Sequence, residues 1–100
     1  MSEIVEFVEE MAGVYFRSVF LAYKGTTIPQ HVHDEPHATL VGSGKARLFV
    51  DGRFERDIPA GHAVVIEAGK KHIFEALEDN TRLTCVWSLE AAERLKQKGF

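Results

Sequence analysis

The chain has 100 residues, of which 45% are hydrophobic and seven are Phe, enough for the core of one domain and too few for two. A net charge of −3 without any basic cluster excludes recognition of nucleic acid through its phosphates. A single cysteine, Cys85, excludes an internal disulfide; no apolar run reaches the roughly eighteen residues of a membrane span, and no basic-then-apolar leader opens the chain, so a cytoplasmic location is expected.

In chain order, residues 3–11 place Ile4, Phe7, Val8 and Met11 at helical spacing, yet the pairs Ile4-Val5 and Phe7-Val8 suit an edge strand equally well. A short helix and a strand lent to a neighbouring subunit are both consistent with the pattern, and Gly13 ends the segment in either case. Residues 15–23 are aromatic and β-branched and predict a strand.

Between Gly25 and Gly44 fall three of the five histidines, His31, His33 and His37. On an extended strand, positions i and i+2 share a face, so His31 and His33 can reach one point. Asp34-Glu35-Pro36 then predicts a turn, because Pro biases the preceding residue away from helix, and that turn can fold His37 back toward the other two. Thr39 and Val41 follow His37 at period two and are expected inside. Glu35 is either a solvated loop carboxylate or a general acid or base.

Residues 45–50 alternate, with Ala46, Leu48 and Val50 on one face, and Asp51-Gly52 predicts a two-residue type I′ hairpin into a strand over 53–58. Pro59-Ala60-Gly61 is a turn, with His62 a solvated residue after it. A buried strand is expected over 63–66, and Ala68-Gly69 turns the chain before His72, with Phe74 on the same face as His72. Residues 73–77 and 82–89 predict a last hairpin with Leu83, Cys85, Trp87 and Leu89 on one face. Cys85 is expected as an inert core thiol, with a place in a pocket wall as the alternative. Ser88 caps a helix over 89–98, with an apolar stripe of Leu89, Ala92 and Leu95, a Glu90/Arg94 pair and Gly99 as its stop. Seven or eight short strands separated by turns predict a sandwich or barrel.

Two motifs carry a resemblance. Gly25, five residues, His31-Val32-His33, three residues, His37, six residues, Gly44 resembles the first cupin motif, with His37 where glutamate is usual. Gly61, five residues, Glu67-Ala68-Gly69, two residues, His72 resembles the second, with Glu67 in place of the usual proline and Ala76 in place of the usual asparagine. The resemblance implies an all-β cupin barrel, a double-stranded β-helix or jelly roll with a short C-terminal helix. The domain would span 1–100, with an arm over 1–13, the barrel over 14–87 and the helix over 88–99.

It further implies one divalent transition metal ion, Mn, Fe, Ni, Cu or Zn, held by His31, His33 and His72 and, by substitution, His37, as in small four-histidine cupins. Four neutral imidazoles leave the divalent charge uncompensated, which favours an anionic or enolate-like oxygen at any open position. The function so implied is a metal-dependent enzyme of oxygenase type acting on a small organic molecule. The alternative is a non-catalytic module that binds a sugar or small acid, or whose metal braces the barrel. A homodimer is expected, and no nucleic-acid or membrane partner.

Overall fold

Apolar and polar residues alternating at period two give eight strands among the described residues, 4–28 and 32–98 of a computed structural model. They are β1 (Ile4–Met11), β2 (Val14–Leu21), β3 (His37–Ser43), β4 (Lys45–Val50), β5 (Arg53–Pro59), β6 (Ala63–Ile66), β7 (His72–Ala76) and β8 (Thr81–Ser88), followed by helix α1 (Leu89–Gln97). Five strands form one sheet in the order β1-β2-β8-β3-β6, and three form a second in the order β5-β4-β7, with every pairing antiparallel. The inward residues of both sheets meet in one core. Val19, Leu21, Val41, Ile66 and Leu83 come from the larger sheet, and Ala46, Leu48, Ile58, Phe74 and Ala76 from the smaller.

The ambivalent segment 3–11 is a strand in its described residues, because Ala12 and Gly13 both take positive φ, 52° and 78°, and so turn it back onto β2. Asp51 and Gly52 do the same between β4 and β5, at 51° and 79°, as their sequence predicts.

Two expectations are overturned. The last hairpin does not exist: β7 and β8 belong to different sheets, and the segment between them crosses from one to the other. The crossing is held by Thr81, whose hydroxyl donates to the Glu78 carbonyl at 2.9 Å and lies 3.3 Å from the Lys45 carbonyl. The second correction concerns β6, predicted to be buried. It is an edge strand, so Val65 faces outward at 67% exposure and only Ile66 is buried. A run of four apolar residues does not by itself say how many of its faces are covered.

Gly44 makes another sheet-to-sheet crossing, from β3 to β4, at φ +73°. A Cβ there would stand 2.8 Å from Thr81 Cα, so the two crossings touch each other.

Helix α1 starts as expected, with the Ser88 side chain accepting from Ala91 N–H at 3.1 Å. Its buried residues are Ala91, Ala92 and Leu95, which join Tyr15 and Trp87 in a second apolar cluster on the barrel, while Leu89 is only half-buried. Gly99, its expected stop, lies outside the described residues.

Candidate metal site

The first motif's turn leads into β3 of the larger sheet, and the second motif's turn leads into β7 of the smaller one. His37 opens β3 and His72 opens β7, so the two histidines face each other across the barrel at one end. The turns are joined directly: Gly69 N–H, at φ +78°, donates to the His33 carbonyl at 2.8 Å. Ring centroids lie 5.5 Å apart for His33 and His37, 5.6 Å for His33 and His72, and 5.3 Å for His37 and His72. Rings whose nitrogens ligate one ion at about 2.1 Å have centroids roughly 5 Å apart, so the gathering fits a shared ligand.

As the side chains stand, however, no group of three or more His, Cys, Asp or Glu among the described residues is close-set enough to hold a metal ion. His31, the fourth predicted ligand, lies outside the described residues. His62 is exposed in its turn and takes no part.

The surroundings orient the rings. His72 Nδ1 lies 3.2 Å from the Lys70 carbonyl, which can only accept, so the neutral ring carries its proton on Nδ1 and its lone pair on Nε2. His37 is 5% exposed, with both ring nitrogens shielded from solvent, and the Trp87 indole stacks on it at 4.5 Å and 23°. The same indole meets His33 edge-on at 5.5 Å and 90°. Beyond the rings, Val19, Ile28 and Phe74 close a cavity of about 30 Å³, and Arg17 and Cys85 complete its described lining. Thr39, fully buried, has its hydroxyl 3.4 Å from Cys85 Sγ, so the thiol stands in the pocket wall.

Helix α1 holds the turn between His33 and His37. Lys98 Nζ donates to Asp34 at 2.8 Å and Arg94 to Glu35 at 2.6 Å. The hydrogen bond from Arg94 holds the Glu35 carboxyl below its ordinary range, and that from Lys98 does the same for Asp34. Glu35 is therefore held ionised as an anchor of the turn, paired with Arg94 rather than freely solvated. Arg94 is engaged there rather than with Glu90, because the loop carboxylate offers a shorter, charge-assisted contact.

A larger cleft of about 460 Å³ opens between β5 and β6, lined by Leu48, Val50, Val64 and Ile66 with Glu55, Arg56, Glu67 and Lys70. It contains no histidine among the described residues, so size alone does not mark the chemistry. Arg17 and Trp87 have no motif to announce them. Their one sequence signal is position: Arg17 alternates with Tyr15 and Val19, and Trp87 with Leu83 and Cys85.

The cupin domain family matches residues 18–88, and the chain belongs to it. Among solved structures it is similar to an RmlC-like cupin with a double-stranded β-helix fold from Methanocaldococcus jannaschii, at 15% identity over 93% of this chain and 85% of that one, TM-score 0.74. An RmlC-like cupin from Desulfovibrio desulfuricans is 22% identical over 85% and 81%, TM-score 0.71. KdgF from a Halomonas species is 20% identical over 86% and 76%, TM-score 0.70. Among curated proteins none matches. The described helix is too short to cross a membrane.

Proposed function

We propose that this cupin is a metal-dependent enzyme of oxygenase type, cytoplasmic, acting on a small organic molecule. The observation that carries the reading is the meeting of His33, His37 and His72, from two separate turns, within 5.6 Å of one another at one end of the barrel. These three, with His31, would hold one divalent ion of Mn, Fe, Ni, Cu or Zn. Bound there, the ion supplies Lewis acidity and, if six-coordinate, two open positions for substrate and dioxygen. The chain's own part is to orient: the Lys70 carbonyl fixes the His72 tautomer, Trp87 props His37, and the apolar wall of Val19, Ile28 and Phe74 excludes water.

Elemental analysis of purified protein is expected to give one ion per chain, with His33→Ala and His72→Ala each losing it. Oxygen consumption with diketones, flavonols or phenols then reads turnover. Metal retained in both variants would overturn the ligand assignment. The small cavity favours one second reading, a non-catalytic module whose metal binds a small acid or braces the barrel; a metal-loaded protein that consumes no oxygen with any of these substrates supports it.

A homodimer belongs to the same proposal. The larger sheet outreaches the smaller by two strands, and β1 is exposed along its whole length. Ile4, Phe7 and Met11 point from one face, and Val5 and Val8, across from Val19 and Arg17, from the other, each 44–55% exposed. A second copy laid against β1 would cover both rows. Light scattering is expected to give twice the chain mass of 11.2 kDa, falling to the single mass in Phe7→Asp. A parent protein that stays monomeric at micromolar concentration would refute the contact.

A further inference from the structure

We infer that Arg17 anchors a carboxylate, and that the ligand of the histidine cavity is a short organic acid carrying a second oxygen next to its carboxylate, such as a 2-oxo or 2-hydroxy acid. Strand alternation in β2 turns Tyr15, Arg17 and Val19 inward, and its register sets Arg17 across from Cys85 of β8 on one side and Val8 of β1 on the other. The side chain is half-buried and lines the same cavity as His33, His37 and His72.

Charge makes the case. Of the six arginines, Arg47, Arg82 and Arg94 each lie against a carboxylate, of Asp57, Glu6 and Glu35 respectively, and Arg53 and Arg56 are exposed to water, which leaves Arg17 as the half-buried one without such a partner. Among the described residues nothing pairs with the Arg17 side chain, and the described lining of the cavity includes no Asp or Glu. Withdrawing a guanidinium from water without a counter-charge is costly, so an inward arginine kept in this state suits a site whose counter-ion arrives with the ligand. A guanidinium offers two parallel N–H donors that match the two oxygens of a carboxylate.

The cavity's size narrows the class. At about 30 Å³ it seats only the head group of a ligand, one or two water-sized atoms, with the rest of even a short acid reaching out of it, and leaves no room for the body of a large substrate. Because Arg17 and the three histidines line one cavity, an acid with an oxygen next to its carboxylate has one group to offer to the guanidinium and one to offer to the histidines. This inference names the substrate class for the site proposed above; its carboxylate half does not require a metal.

The test titrates pyruvate, lactate and the neutral methyl pyruvate into the protein, metal-loaded and chelator-stripped, following fluorescence of Trp87, the single tryptophan, which lines the same cavity. The parent is expected to bind both acids at least tenfold more tightly than methyl pyruvate. Arg17→Met should raise the Kd of the acids tenfold or more, with metal content and the weak response to methyl pyruvate unchanged, and Arg17→Lys should fall between. Equal affinity of the parent for pyruvate and methyl pyruvate overturns the inference, as does failure of the parent to bind either acid, or an Arg17→Met protein that binds them as the parent does. If Arg17→Met does not fold, the acid-to-ester ratio of the parent and Arg17→Lys still decide. A parent that carries no metal yet discriminates acid from ester in the stripped state would refute the metal reading and leave Arg17 in place.

Discussion

Gly44→Ala is expected to destabilise the fold by about 3 to 5 kcal/mol, read as a lower denaturant midpoint with an unchanged slope. Two penalties fall on one residue. The φ of +73° disfavours any side chain by roughly 1–2 kcal/mol, and the added Cβ would be driven to 2.8 Å from Thr81 Cα, a backbone atom that no rotamer change can move. Thr81 cannot withdraw cheaply, since its hydroxyl bonds to the Glu78 carbonyl and reaches the Lys45 carbonyl. Gly52→Ala is the control: φ is +79° but no atom lies within 4 Å of its Cβ, so only the conformational cost of about 1 kcal/mol remains. Equal losses in the two variants would mean that the contact with Thr81 is relieved by a small shift and that the crossings do not brace each other.

Trp87→Ala should cost about as much, 3 to 5 kcal/mol, and, on the proposed metal reading, should also weaken metal retention by roughly tenfold or more. The indole is 2% exposed and serves both the second apolar cluster and the site. It meets Tyr15 edge-on at 5.9 Å, packs with Ala91, Ala92 and Leu95, stacks on His37 and abuts His33. Truncation leaves a void against the helix and removes the plane that holds the His37 ring. Trp87→Phe keeps an aromatic face and should recover most of the metal affinity while losing part of the stability. If Trp87→Ala binds metal as tightly as the parent despite lower stability, the indole is a core residue only.

The contrast between His33 and Arg17 shows what a sequence discloses about such a site. His33 and His37 stand at turn and strand spacings whose geometry is local, so their approach can be read along the chain, whereas His72, on the other sheet, is placed with them only by the resemblance of the second motif. Arg17 and Trp87 join them through the pairing of β2 with β8 and β8 with β3, contacts across tens of residues that no local spacing encodes. The same distinction runs through the fold. The Asp51-Gly52 hairpin is legible because two positive φ values leave few alternatives to its residues. The crossing from β7 to β8 uses similar turn residues, Asp79 and Asn80, and only packing of the two sheets separates a crossing from a hairpin. For β6, four apolar residues announce a strand, but its place at the sheet edge depends on which strand lies beyond it.

The grip of α1 on the turn between His33 and His37 bears on the order in which the protein becomes competent. Arg94 and Lys98 reach partners 59 and 64 positions earlier in the chain. During synthesis the first motif therefore emerges long before the side chains that steady it, and β2 likewise waits for β8. Contacts of such separation form late and slowly. The histidines reach their final spacing only when the helix has docked, so the ion proposed for them would enter a closed barrel, a finished receptor rather than a chain folding around a metal.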